Sequence, residues 1–153
     1  MSPEDRLWCL GLTLPEPPPA LAHYELAVQT GSLLFLAGHA PLRDGEHAYV
    51  GKVGREWSEA DGYAAARLTA LNMLATMKHE LGELGRVRRI VKLLGMVNCT
   101  EEFTRAPDVL NGASDLFIEV FGEAGRHARS AVGMQQLHYG MAIEIEGIFE
   151  IAT

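Results

Sequence analysis

Cysteine is scarce in this chain: two stand among 153 residues, and Cys9 and Cys99 form neither a CxxC nor any regular spacing. That argues against a disulfide framework and reads both as free, reduced thiols. No apolar run approaches the roughly 20 residues that a membrane-spanning helix needs. The opening "MSPEDRLWCLGL" puts Glu4 and Asp5 where a secretory signal would carry positive charge. The expected location is therefore cytoplasmic, with no membrane partner. Basic residues are also few. Against 20 Asp and Glu there are 13 Lys and Arg, a formal charge of −7, which repels phosphate backbones and weighs against nucleic acid. The six histidines, His23, His39, His47, His79, His127 and His138, include no HxxxH or HExxH pair, so no metal site is expected. GxSxG, GxxxxGK[ST] and GxGxxG are all missing, and with them the signals of a serine-hydrolase elbow or a nucleotide loop.

What remains is an ordinary globular composition, 48% hydrophobic and 22% charged, long enough for a real core. The expectation is one domain over 1–153, with a short N-terminal helix or arm (about 1–13). "LPEPPP" is an extended connector, because clustered prolines cannot sit inside a helix. "YELAVQTGSLLFLAGHAPL" predicts a β-hairpin broken at "TGS", "RDGEH" a turn, and "AYVGKVG" a further short strand. Ser58 with Asp61 marks the start of a helix running to about Leu81, whose Leu68, Leu71, Leu74, Ala75 and Leu81 gather on one broad face. "RVRRIVKLLGMVNC" predicts a strand with Val87, Val91, Leu93 and Val97 on one side. A second amphipathic helix spans roughly 106–121, and "ARSAVGMQQL" and "AIEIEGIFEI" close the chain as strands. This order favours an α+β sheet with both helices on one face. The other face then needs cover, and self-association would supply it.

Two charges on the closing strands raise the question of chemistry. Arg129 shares its strand face with the small residues Ala131 and Gly133. It reads either as a surface arginine or as a guanidinium fork holding a carboxylate, with room left beside it for a ligand. Glu144 and Glu146 point away from Ile143 and Ile145, as a solvated strand side or as acids for proton transfer. "RVRRIVK" is the one dense basic run, and Arg86, Arg88 and Lys92 form a solvated row rather than an RNA site. Tyr24, after the prolines, reads as a packing aromatic whose phenol is also able to reach a ligand.

Together these pieces resemble the reactive intermediate deaminase family, called RidA or YjgF, from about Leu14 to Ile151. The most specific part is "ARSAVGMQQL" followed by "IEIEGI"; Gly51 with Val53, Asn72, Val91–Lys92, Phe103, Asn111 and Phe121 support it. The resemblance implies a chorismate-mutase-like (bacillus-type) α+β fold: a mixed β-sheet with two helices packed on one face, assembled as a homotrimeric barrel with sites between subunits. It implies hydrolysis of enamines and imines derived from amino acids to 2-keto acids and ammonia, with no cofactor. By position, Arg129 matches the carboxylate anchor and Glu144 the acid that orients water. Tyr24 and Gly38 match ligand-lining positions, and Ala131 stands where a cysteine is frequent, leaving only its backbone amide. Leu137-His138 replaces the usual Leu-Pro, and His127-Ala128 the usual Pro-Ala. Two other readings accompany the deaminase: a non-catalytic trimeric binder of small carboxylates, and an endoribonuclease, a label the family often carries.

Overall fold

Ser58 stands in extended conformation. Its hydroxyl accepts a hydrogen bond from the Asp61 amide, and the Asp61 carboxylate accepts one from the Ser58 amide. This reciprocal cap satisfies two amides that a helix start leaves unpaired, and the chain winds into α2, Glu59–Leu81. Aspartate does here what the longer glutamate more often does. Ser2 and Asp5 repeat the device at α1, Pro3–Cys9.

The computed structural model describes residues 1–20 and 22–153. It adds α3 (Ala106–Phe121) and the strands β1 (Ala27–Thr30), β2 (Leu33–His39), β3 (Leu42–Arg43), β4 (Glu46–His47), β5 (Val87–Asn98), β6 (Ala128–Met134) and β7 (Ile143–Ile151). Five strands make one mixed sheet in the order β1-β2-β7-β5-β6, with β6 at an edge and parallel to β5. β3 and β4 form a separate small hairpin around Asp44 and Gly45, whose φ values of 54° and 79° suit a tight turn of this hand.

α2 and α3 cover one face of the sheet. β7 alternates strictly, with Ile143, Ile145, Gly147, Phe149 and Ile151 buried toward the helices. Phe117 of α3, Met73, Leu74 and Met77 of α2, and Leu93 of β5 complete that core. The helices meet closely because Gly112 carries no side chain: a Cβ there would lie 2.0 Å from the Tyr63 carbonyl oxygen. α1 adds a third helix against α3. Its Leu7 is buried, and Glu4 accepts hydrogen bonds at 2.8 Å from both Lys78 and the Leu84 amide.

Several expectations need correction. Val91 is exposed and Ile90 takes its place in the core, because register shifts between Val87 and Arg89 and between Ile90 and Lys92 invert the stretch between them. "AYVGKVG" makes only isolated bridges, Val50 to Met141 and Val53 to Trp57 and Cys99, and forms no strand. Arg86 precedes β5, and its guanidinium donates to the Leu81 and Ala152 carbonyls instead of joining a solvated row. α2 packs against both the sheet and α3, so its buried side includes Thr69, Asn72 and Thr76 as well as Leu74, Leu81 and its alanines, while Leu68 and Leu71 are half-exposed.

Candidate functional site

A bulge builds the first half of the site. Between β2 and β7 the pairing steps from Leu36–Gly147 to His39–Ile145, so three steps on β2 oppose two on β7. The irregularity turns His39 into the helix layer. Its Nδ1–H donates to the Ala37 carbonyl at 2.7 Å, and its Nε2 accepts from the Thr76 hydroxyl at 2.8 Å. Burial holds this imidazole neutral by lowering its pKa. Gly38 then faces the opposite, helix-free side, against Glu144. A Cβ on Gly38 would stand 2.2 Å from Glu144 Oε1.

Glu144 is half-buried on that side. Burial raises its carboxyl pKa above the ordinary glutamate value; His138 nearby opposes the shift, and Glu146 adds to it. His138 Nδ1 lies 3.8 Å from Glu144 Oε2. A recess of about 100 Å³ adjoins them, lined by Tyr24, Gly38, His47 and His138 together with Pro18 and Pro19 of the extended connector. The prolines thus bring Tyr24 to the same place as Gly38.

The second half lies on β6. Arg129 points to the helix side, where Nη1 donates to Ser114 Oγ at 2.9 Å and Nη2 to the Pro107 carbonyl at 3.0 Å, both on α3. Ser114 is held in turn by His127. The His127 Nδ1–H donates to the Gly125 carbonyl at 2.6 Å, which leaves Nε2 to accept from the Ser114 hydroxyl at 2.9 Å. Burial lowers the His127 pKa and keeps that acceptor free. Ser114 therefore offers its lone pairs to Arg129, and the guanidinium keeps further donors for a ligand. Ala131, two residues on, is half-buried against the core.

Within one chain these halves stay apart. Arg129 is level with Leu93 of β5 and Glu144 with Met96, three residues further along, or about 10 Å at the usual rise. β5 separates their strands, and the side chains leave the sheet on opposite faces. Tyr24, Gly38 and Glu144 gather; Arg129 and Ala131 stand elsewhere. Sequence reasoning assigned no role to Ser114, which has no signal beyond its helix position. His127 and His138 did carry one, as departures from the closing pattern.

The helix-free face leaves Val28, Phe35, Val91 and Val132 exposed by between 37% and 54%, apolar side chains of the kind that interfaces cover. Lys92 and Glu146 line a shallow basin on it with Phe35, Leu94 and Ile148.

This α+β layering is that of the chorismate-mutase-like proteins. The chain belongs to the RidA/YjgF family: residues 4–138 match the family described as "YjgF/chorismate_mutase-like, putative endoribonuclease". Protein TCP17 of Trypanosoma cruzi is 41% identical over 143 residues, 93% of this chain and 89% of that one. The crystal structure of Atu1372 from Agrobacterium tumefaciens, of unknown function, aligns at TM-score 0.92 with 43% identity, covering 98% of this chain and 92% of that one. A "putative endoribonuclease" from Shewanella oneidensis aligns at 0.96 with 38% identity, over 99% and 100%. RidA from an Antarctic Psychrobacter aligns at 0.62 with 25% identity over 89% and 94%. E. coli TdcF with bound serine shares the fold at 0.63 and 23% identity over 90% and 94%.

Proposed function

We propose that this protein hydrolyses small imines and enamines derived from amino acids to 2-keto acids and ammonia, at sites completed between neighbouring subunits of a trimer. Arg129 grips the substrate carboxylate through its remaining donors, a charge-assisted contact that selects amino-acid-derived imines over neutral ones. Glu144 and Gly38 of the adjacent subunit hold a water against the imine carbon. That carbon is already electrophilic, above all when the nitrogen is protonated, so a positioned water and a proton acceptor are enough to begin the addition. The reading requires no metal or organic cofactor. The serine bound to E. coli TdcF is a ligand of the size and charge this reading calls for. The observation that carries the proposal is the division of the site: a preorganised guanidinium on one edge of the chain and a half-buried acid against a glycine on the opposite face.

The test mixes two dead variants. Imines are generated with an amino-acid oxidase, and their decay is followed with Arg129→Ala and Glu144→Gln, separately and co-expressed. Each alone is expected to give the buffer rate, while random co-assembly restores about a quarter of the sites, those pairing an intact arginine with an intact acid. No restoration in mixed oligomers sinks the shared site. Wild-type decay no faster than buffer sinks the deaminase. Persisting keto-acid binding would then leave the carboxylate binder, and cleavage of RNA by purified protein would favour the endoribonuclease.

A further inference from the structure

The turn between β6 and β7 aims a histidine at the acid. Tyr139 takes φ 56°, a left-handed conformation that residues other than glycine seldom adopt, and Gly140 follows at φ 70°. Such backbone persists only where its surroundings fix it, and it concentrates at functional sites. Here the surroundings do fix it. The Gly140 carbonyl accepts from the Gly51 amide at 2.8 Å and from the Asn98 side chain at 3.4 Å, and the Gly140 amide donates to the Leu137 carbonyl at 3.0 Å. The Tyr139 ring lies 5.5 Å from those of both His47 and His138. Bracing on this scale holds His138 in the wall of the recess shared with Tyr24 and Gly38, with Nδ1 3.8 Å from the Glu144 carboxylate.

We propose that His138 is a second proton-carrying residue of the hydrolytic site, delivering to the substrate nitrogen the proton that Glu144 takes from water. The proposal rests on the deaminase reading above. Water adds its oxygen to the carbon of the protonated imine and loses a proton to Glu144, leaving a neutral carbinolamine. The proton crosses to His138 and then to the amine nitrogen, which returns Glu144 to carboxylate and His138 to neutral imidazole. Glu144 next takes the hydroxyl proton as the carbonyl forms. The carbon–nitrogen pair leaves with ammonia, which accepts the Glu144 proton on departure. Protons and charge balance without an outside reactant. Imidazole suits the middle step because its two ring nitrogens let it both accept and donate a proton. The groups around His138 are Glu144 from β7, His47 from β4, Tyr24 from the connector, and Tyr139 beside it; Glu146 lies two residues beyond Glu144 on β7. His39 lines the same recess, but both its ring nitrogens are taken up by the Ala37 carbonyl and the Thr76 hydroxyl.

The experiment compares wild type, Glu144→Gln, His138→Gln and His138→Ala in the imine assay, with 2-ketobutyrate binding and circular dichroism as controls. His138→Gln is expected to lower kcat by about 100-fold or more while KM and 2-ketobutyrate affinity stay within a few-fold. Imidazole in the buffer restores part of the His138→Ala rate and none of the Glu144→Gln rate, which a structural role would not produce. Active wild type, dead Glu144→Gln and a His138→Gln variant at full kcat overturn this proposal alone, as does a loss in His138→Ala that imidazole leaves untouched. A wild type inert toward every imine overturns the deaminase reading and this proposal with it.

Discussion

Gly38 carries no side chain where Glu144 already fills the space. A methyl group there would meet Oε1 at 2.2 Å, and the atom it meets is the mobile end of a long side chain. Gly38→Ala is therefore expected to fold, with its Tm changed by no more than a few degrees, because the carboxylate swings aside. Turnover is expected to fall by about 100-fold, the scale of a displaced acid–base group. Thermal melts beside imine decay check both halves; a variant with full activity would mean the contact does not position Glu144. At this scale strand alternation singled out Arg129 and Glu144, the proline connector drew attention to Tyr24, and the family resemblance assigned their roles and added Gly38. It gave no role to Ser114 or to the two histidines, because hydrogen bonds between residues 13 or 15 positions apart, His127 and Arg129 to Ser114, leave no periodic trace in the chain.

Among the elements, β2 and α2 are tied through His39. Its neutral form is the one that fits, donating to Ala37 and accepting from Thr76. With the folded pKa lowered by burial, the unfolded chain binds more protons below about pH 6.5. Stability contributed here is thus full above that pH and is lost as pH falls through it. Urea midpoints are expected to drop between pH 7.5 and 5.5, and to drop less in His39→Gln, despite that variant's lower stability at pH 7.5. Glu144, with its raised pKa, acts with the opposite sign in both proteins and cancels in the comparison. An equal acid loss in the two would refute the assignment. The helices themselves were legible: the Ser-x-x-Asp cap and the run from 106 to 121 are local signals. The side of β5 on which Val91 lies was not, since a bulge reverses alternation without any residue announcing it.

For the molecule as a whole, the proposed trimer rests on the apolar face opposite α2 and α3. Val132 stands on that face of the edge strand, where a carboxylate would have to be desolvated on association. Val132→Asp is expected to shift sedimentation from trimer to monomer and to abolish turnover, while far-UV circular dichroism stays that of wild type. A monomeric, active wild type would break the link between assembly and site.

The order of strands and helices, both serine caps and the identity of the two late charges were set by the sequence itself, because caps, turns and alternation act over a few neighbouring residues. Tertiary structure alone decided that Arg129 and Glu144 leave the sheet on opposite faces, that His127 steadies Ser114, and that His138 meets the acid. Each of these depends on a bulge, a strained turn or a helix laid across the sheet, and long-range packing fixes such geometry where residue spacing does not.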